Sequence, residues 1–317
     1  MAPKNLDFSA LRQALSAPAH LSYSGEVQTM EVGQASSRVA VYRVEHRAPD
    51  LTRRWYLAPR SLYGDTVIVR GKLRYAVDVH RNRIVFTKRS NDSDVTPDAD
   101  DLALMAKNYR LVSAPQQRLV GRLANVLLLV NRFTDQTAMR VFVDTQTHLV
   151  LESERYGPDG SLISSTRFEM LRYEHSVPKA LFTVPRGMPQ VDGPNYGPPS
   201  PNVARVAGHA GFTARSPRYL PDGFEPITAG IASIDGIRTL DVLYSDGIRT
   251  VSLYENARNA AVDLRRLNPR SIRVGSHLGL YAERGSTTLL SWRKGPLHLA
   301  LVGALPIDEL ARIAASI

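Results

Sequence analysis

Between Arg38 and Lys88 the chain strings together short β-prone runs, and this stretch restricts the fold more than any other. Val39-Ala40-Val41-Tyr42-Arg43-Val44-Glu45-His46 comes first. After Ala48-Pro49-Asp50 follows Arg53-Arg54-Trp55-Tyr56-Leu57. Then come Thr66-Val67-Ile68-Val69, Leu73 to Val79 and Arg83-Ile84-Val85-Phe86-Thr87. The breaks are short and carry turn residues: Tyr63-Gly64-Asp65, Arg70-Gly71-Lys72 and His80-Arg81-Asn82. A parallel pairing needs a crossover of about a dozen residues, so these runs must pair antiparallel, as a meander. One face of that meander has to be covered.

The flanking segments supply the cover. Asn5 to Ala17 reads as a helix that Asn5 or Asp7 caps, with Leu6, Ala10, Leu11, Ala14 and Leu15 on one face and Pro18 as its stop. His20 to Val32 is a first strand, with Tyr23, Gly25 and Val27 on one side. Thr96-Pro97-Asp98-Ala99-Asp100-Asp101 is a helix start, with the cap, the proline and the acids in order. It leads into Leu102, Leu104, Met105 and Ala106, a short helix expected to plug the meander's concave side. Strands resume at Arg110 and run to Tyr173, with turns at Thr145-Gln146-Thr147 and Gly157-Pro158-Asp159-Gly160.

From Val177 to Pro217 proline and glycine crowd the chain, and a linker is expected there. Strands return after Tyr219-Leu220-Pro221-Asp222-Gly223-Phe224. Asn256 to Leu267 reads as a short helix or loop. Pro306 to Ile317 ends the chain as a helix with Leu310, Ile313, Ala314 and Ile317 on its apolar face. The expected organisation is therefore α+β. Residues 1–176 form a half-open antiparallel β-barrel with a leading helix and a plug helix, 177–217 a linker, and 218–317 a smaller α+β domain.

Composition narrows the chemistry. With no cysteine there are no disulfides, thiolate metal sites or cysteine nucleophiles. The eight histidines are scattered, none at helical spacing to another, so no metal site is expected. No glycine-rich phosphate loop and no Gly-x-Ser-x-Gly elbow occur, and neither an enzyme nor a cofactor is expected. The acids Asp98, Asp100 and Asp101 belong to a helix start, and Glu152 and Glu154 to a solvated strand face. The formal charge of +10 suits an acidic protein segment or an anionic lipid surface. No nucleic-acid reader motif accompanies it. No run approaches the length of about eighteen apolar residues that a membrane helix needs. Met1-Ala2-Pro3-Lys4-Asn5 leads into no apolar leader, as in a cytosolic protein or in an exported one whose leader lies outside this sequence. A bent sheet with few helices encloses a hollow. Its expected lining, and so the candidate ligand contacts, is Tyr42, Trp55, Tyr75, Val77, Phe86, Met105, Leu127, Leu129 and Phe142.

The order of elements and several turn signatures resemble a known family. The leading helix, meander, plug helix and Glu152-Ser153-Glu154-Arg155-Tyr156-Gly157-Pro158-Asp159-Gly160 look like the large domain of the MucB/RseB regulators, which is similar to the lipoprotein carrier LolA. Tyr219-Leu220-Pro221-Asp222-Gly223-Phe224, Leu243-Tyr244-Ser245-Asp246-Gly247 and the ending Leu301 to Ile317 resemble that family's small domain. The resemblance implies a non-enzymatic periplasmic protein of the envelope stress response. Such a protein binds the periplasmic segment of an anti-sigma factor, or a similar membrane protein, and senses lipid, lipoprotein or lipopolysaccharide acyl chains. A homodimer is compatible with it. The alternative is a periplasmic carrier of lipoprotein or lipid. The long proline-rich linker departs from the family, and no motif marks a partner-binding residue.

Overall fold

The computed structural model describes residues 5–33, 37–88, 101–193, 200–210, 213–234, 237–257, 264 and 267–317. Its described residues from Asn5 to Val32 and Ser37 to Gly193 form one compact unit, and those from Ser200 to Ile317 another.

The large unit is one sheet. Its strands are β1 (Asn5–Leu6), β2 (Ser22–Val32), β3 (Ser37–Arg47), β4 (Leu51–Ala58), β5 (Thr66–Arg70), β6 (Leu73–Asp78) and β7 (Arg83–Thr87). They continue with β8 (Tyr109–Leu119), β9 (Arg122–Asn131), β10 (Thr137–Asp144), β11 (Val150–Tyr156), β12 (Leu162–Glu174) and β13 (Gln190–Asp192). The order is β1-β8-β9-β10-β11-β12-β2-β3-β4-β5-β6-β7-β13, so the sheet stays open, with β1 and β13 as its edges. The meander expected from Arg38 to Lys88 is present as β3 to β7, each strand antiparallel to the next. Helix α1 (Ser9–Ser16) buries Leu11 and Ala14, and helix α2 (Leu102–Asn108) buries Leu102, Leu104 and Met105. The half-open barrel with a leading and a plugging helix is thus the observed architecture.

Two local expectations are corrected. The leading helix begins at Ser9, not Asn5. Asn5 and Leu6 instead pair with Val112 and Leu111 of β8. Phe8 takes the N-cap position, while the Asp7 carboxylate accepts the Ser9 N–H at 2.9 Å. A helical apolar stripe does not exclude two extended residues in front of it when a sheet edge offers partners. The helix start at Thr96-Pro97 lies outside the described residues, and α2 has Asp101 at its N-cap position.

The stretch 177–217 is not a bare tether over its described residues. Val177 and Phe182 pack on Ile68, with Leu51, Tyr75 and Val184 around them. Arg70 Nε donates to the Phe182 carbonyl at 2.8 Å, and β13 pairs in parallel with β7. On the far side, Ser200 bridges to Ala229, and helix α3 (Val203–Ala210) buries Val206 and Ala207 in the small unit. Proline limits long ladders, but single bridges and isolated apolar side chains anchor such a segment.

Among its described residues the small unit has seven strands: β14 (Glu225–Ile234), β15 (Ile237–Ser245), β16 (Thr250–Asn256), β17 (Arg270–Val274), β18 (His277–Arg284), β19 (Thr287–Lys294) and β20 (Leu297–Gly303). Their order is β14-β15-β16-β20-β19-β18-β17. One face carries Leu240, Val242, Leu253, Leu290, Trp292, Leu299 and Leu301, covered by α3 and by helix α4 (Ile307–Ala315) through Leu310, Ile313 and Ala314. The terminal helix therefore buries the face its spacing called for. The expected loop or helix from Asn256 to Leu267 falls mostly outside the described residues.

Among the described residues one buried carboxylate stands on that core face. Glu255 is fully buried opposite Leu240 and Leu299. Its two carboxylate oxygens accept the Arg215 N–H at 2.9 and 3.2 Å. Burial pushes its carboxyl up to about 7, against the pull of the Arg215 N–H and guanidinium. Asp241 is pushed by burial in the same direction, to about 6. A carboxyl whose folded value is raised supports folding below its unfolded value, near 4.5, and loses that support as pH rises through 7. The small unit is thus expected to be less stable at pH 8 than at pH 5, by on the order of 2 kcal/mol. Glu255→Gln should remove most of that difference, as read from urea unfolding at the two pH values. An unchanged difference would show that Glu255 does not carry it.

Candidate functional site

Residues directly opposite across an antiparallel pair share a face of the sheet, and neighbours along a strand alternate. That rule splits the nine expected contacts. Tyr42 pairs with Tyr56, and Leu127 and Leu129 pair with Val141 and Met139. Following the register through Val27, Thr29, Thr166 and Ser153 puts all three on one face. Trp55 pairs with Arg43 and Thr66, Tyr75 with Ile68 and Phe86, and Val77 with Thr66 and Ile84. Those four lie on the opposite face. Phe142 alternates with Val141 and so faces away from Leu127 and Leu129.

Burial completes the account. Tyr42, Val77, Met105, Leu127, Leu129 and Phe142 are all buried. Tyr42 packs with Tyr23, Val27, Val44, Leu149 and Phe168, and Phe142 with Ala124, Val126 and Leu151. Trp55, Tyr75 and Phe86 are half-buried. The Arg43 guanidinium stacks over Trp55 at 5.8 Å, and Tyr75 meets Phe86 at 5.2 Å between centroids. The nine residues are not brought to one place. In a sheet covered on both faces, apolar content alone does not tell which way a side chain points, and a shift of one residue reverses it.

The structure instead brings together residues that the sequence reading left apart. A pocket of about 380 Å³ is lined by Asn5, Leu6, Asp7, Phe8, Ala106, Arg110, Leu111 and Arg132. The pairing of Leu6 with Leu111 builds one wall, and Ala106 of α2 builds another. Two guanidiniums stand at it. Arg110 is paired with Asp135, whereas the exposed Arg132 forms no ion pair among the described residues. Met105 precedes the wall residue Ala106, and Leu129 pairs with the wall residue Leu111. Apolar walls beside a mixed rim, Arg110 and Arg132 against the Asp7 carboxylate, suit an apolar chain whose anionic end lies at Arg132. The signal missed in the sequence was Asn5-Leu6 as a strand, because those residues also fit the helical stripe.

The remaining polar groups offer little chemistry. Among the described residues no group of three or more His, Cys, Asp or Glu is placed to hold a metal ion. Ser291 and His298 are hydrogen-bonded at 2.9 Å, but both are buried and Ser291 also donates to the Leu299 carbonyl. His46 is held between Thr52 Oγ1 and the Pro18 carbonyl, both at 2.8 Å, and burial lowers its basicity. Each is a satisfied buried pair rather than an exposed nucleophile or base.

Comparison with known proteins agrees with this architecture. Residues 9–185 match the family described as the MucB/RseB N-terminal domain. Residues 214–317 match a domain of unknown function, DUF4367. The sigma-E factor regulatory protein RseB of Escherichia coli K12 is 21% identical over 221 residues, which is 68% of this chain and 61% of that protein. The RseB protein of Shigella flexneri gives the same figures. The chain thus spans about three fifths of the length of the curated relatives it matches. Among solved structures, MucB in complex with MucA(peri) is similar with a TM-score of 0.67 and 17% identity, over 97% of this chain and 96% of that one. The MucA/MucB complex of Pseudomonas aeruginosa gives a TM-score of 0.66 at the same identity and coverage. With the family's domain matched over more than half of its length and its fold similar over both units, the chain belongs to the MucB/RseB family.

Proposed function

We propose that this chain is a non-enzymatic regulator of the bacterial periplasm that binds the extracytoplasmic segment of an anti-sigma factor or similar membrane protein. The observation that carries the reading is the likeness over 97% of the chain, both units included, to MucB solved together with MucA(peri). A carrier needs only the half-barrel, so a second unit with its own core favours a regulator over the carrier alternative. The basic surface suits an acidic segment. Immobilised protein incubated with an envelope extract is expected to retain a membrane protein. Recovery of lipids alone would remove the partner from this reading.

The ligand half of the proposal concerns acyl chains. The pocket bounded by Leu6, Phe8, Ala106 and Leu111 takes the apolar chain, and Arg132 meets an anionic headgroup. Of the nine residues expected to contact ligand, Met105 and Leu129 neighbour its walls. Ligand and partner would then be linked: whichever arrangement of the protein the ligand prefers, partner affinity shifts by the same factor. Native mass spectrometry of freshly purified protein should show lipid adducts. Ala106→Trp, which fills the pocket, should reduce them about tenfold with little change in thermal stability. Equal adducts in both proteins would place the lipid elsewhere. The same spectra report a doubled mass if the chain pairs with itself.

A further inference from the structure

The two edges of the small sheet are treated differently. At one edge, β14 is capped by the chain itself: Ser200 N donates to the Ala229 carbonyl at 2.9 Å, and Ala229 N to Ser200 at 2.8 Å. At the other edge, β17 pairs with β18 alone among the described residues. A two-residue turn, Gly275-Ser276, joins them, so the flanking pair Val274–His277 exchanges hydrogen bonds and the pairs alternate from there. Ser271 and Arg273 therefore turn their N–H and C=O groups outward. Their ladder has no register shift, and β17 contains no proline. A row left unpaired among the described residues in this way is a template for another strand.

The surroundings say which strand. On the face that carries Ser271 and Arg273, the opposite residues are Leu280 and Leu278. Leu278 is 74% exposed and Leu280 43% exposed. From Arg270 to Lys294 the chain holds five cations, Arg270, Arg273, Arg284, Arg293 and Lys294, against the single acid Glu283. Among the described residues none of the five enters an ion pair. A second copy of β17 would add its own Arg270 and Arg273 to an edge already rich in cations, which discourages self-pairing. An acidic strand meets the opposite situation.

We propose that β17 is a docking edge for an extended acidic segment of another protein, which adds to the small sheet as an eighth strand. Its backbone pairs with Ser271 and Arg273. A carboxylate lies beside Arg273, and an apolar side chain passes over the small Ser271 towards Leu280. Backbone pairing supplies affinity, and an acidic and an apolar side chain two residues apart, on the one face that carries Arg273 and Ser271, supply selectivity. This goes beyond the function proposed above, since it needs only the chemistry of the segment and stands whether or not the partner is an anti-sigma factor.

The test uses the full chain and two synthetic peptides, one repeating Glu-Ser-Val-Ser and one repeating Lys-Ser-Val-Ser, so that a charged and an apolar side chain follow each other on the same face. Fluorescence anisotropy should show the glutamate peptide binding at least about tenfold more tightly, with affinity falling as salt rises. Hydrogen exchange should show new protection at Ser271 and Arg273. Ser271→Pro removes an outward N–H without touching the ladder to β18, and should abolish binding. Arg273→Glu, a change at an exposed position, should move the preference towards the lysine peptide. Equal binding of both peptides, protection confined to other strands, or binding untouched by both substitutions would each overturn the proposal.

Discussion

Asp144→Ala is expected to lower the stability of the large unit by about 3–4 kcal/mol, because it strips the anchor from a buried network and leaves its cation unpaired. Asp144 ends β10 and is 1% exposed. Its carboxylate takes hydrogen bonds from Arg122 at the start of β9, from the Gln146 N–H at 2.9 Å and from Tyr173 of β12 at 3.0 Å. Tyr173 is also hydrogen-bonded to Thr147 at 2.6 Å, and the Arg122 guanidinium lies over its ring at 4.8 Å. One carboxylate therefore ties three strands and a turn. Arg122 keeps some access to water, which holds the cost below that of a fully buried cation. Burial pushes the Asp144 carboxyl up, but the bonds from Arg122, Gln146 and Tyr173 outweigh it and set it below the usual carboxylate range. A carboxyl lowered in the folded state lends stability above its unfolded value and loses it as pH falls through the folded one. The gap between the parent protein and Asp144→Ala should therefore be full at pH 7 and narrower at pH 3. Urea unfolding followed by peptide-resolved hydrogen exchange reads it, because the two units need not unfold together. A gap as large at pH 3 as at pH 7 would mean that packing, not charge, sets the cost.

Gly25→Ala is the second large effect, with an expected loss of about 3 kcal/mol. Gly25 sits in β2, a central strand, opposite Val44 and Leu171. A Cβ there would press on the Met170 carbonyl well inside van der Waals contact, with the Phe168 ring 3.2 Å away. The β12 register shifts between Phe168 and Met170, and that bulge brings the carbonyl over the bare backbone. Glycine in a central strand commonly marks such an approach. Because the obstacle is backbone rather than a movable side chain, relief requires the β12 bulge to move. Protection of the β2 and β12 amides should drop in Gly25→Ala. Gly121→Ala makes the control: a Cβ meets nothing within 4 Å there, although its φ of +78° adds local strain. Amide protection in Gly25→Ala equal to that of the parent would show that β12 adjusts freely.

Much of the fold was legible because its signals are local. The strand runs from Val39 to Thr87 are separated by turns too short for any crossover, so antiparallel pairing followed without a structure. Leu310, Ile313 and Ala314 repeat at helical spacing, and α4 buries them as expected. Other features depended on competition between partners distant in sequence. Asn5 and Leu6 satisfy a helical stripe, yet β8 at Leu111 and Val112 offered an open edge and took them. Val177 and Phe182 lie in proline-rich chain, yet Ile68 held a place for them.

The site was less legible than the fold for the same reason. Tyr42 and Trp55 are both aromatic strand residues, and only the register with Tyr56 and Arg43 shows that they face opposite ways. The bulges at Phe142–Val143 and Phe168–Met170 shift pairing by a residue and leave no turn residue to announce them. The pocket joins the N-terminal segment to residues more than ninety positions away, Ala106 among them. By itself the sequence determined the strands from β2 to β12 and most of those in the small unit, helices α2 and α4, the absence of cysteine chemistry and the excess of positive charge. All of these follow from residue type and short-range spacing. Tertiary structure alone decided the faces, the pocket and the edge at β17, open among the described residues, since each depends on which distant backbone groups find partners.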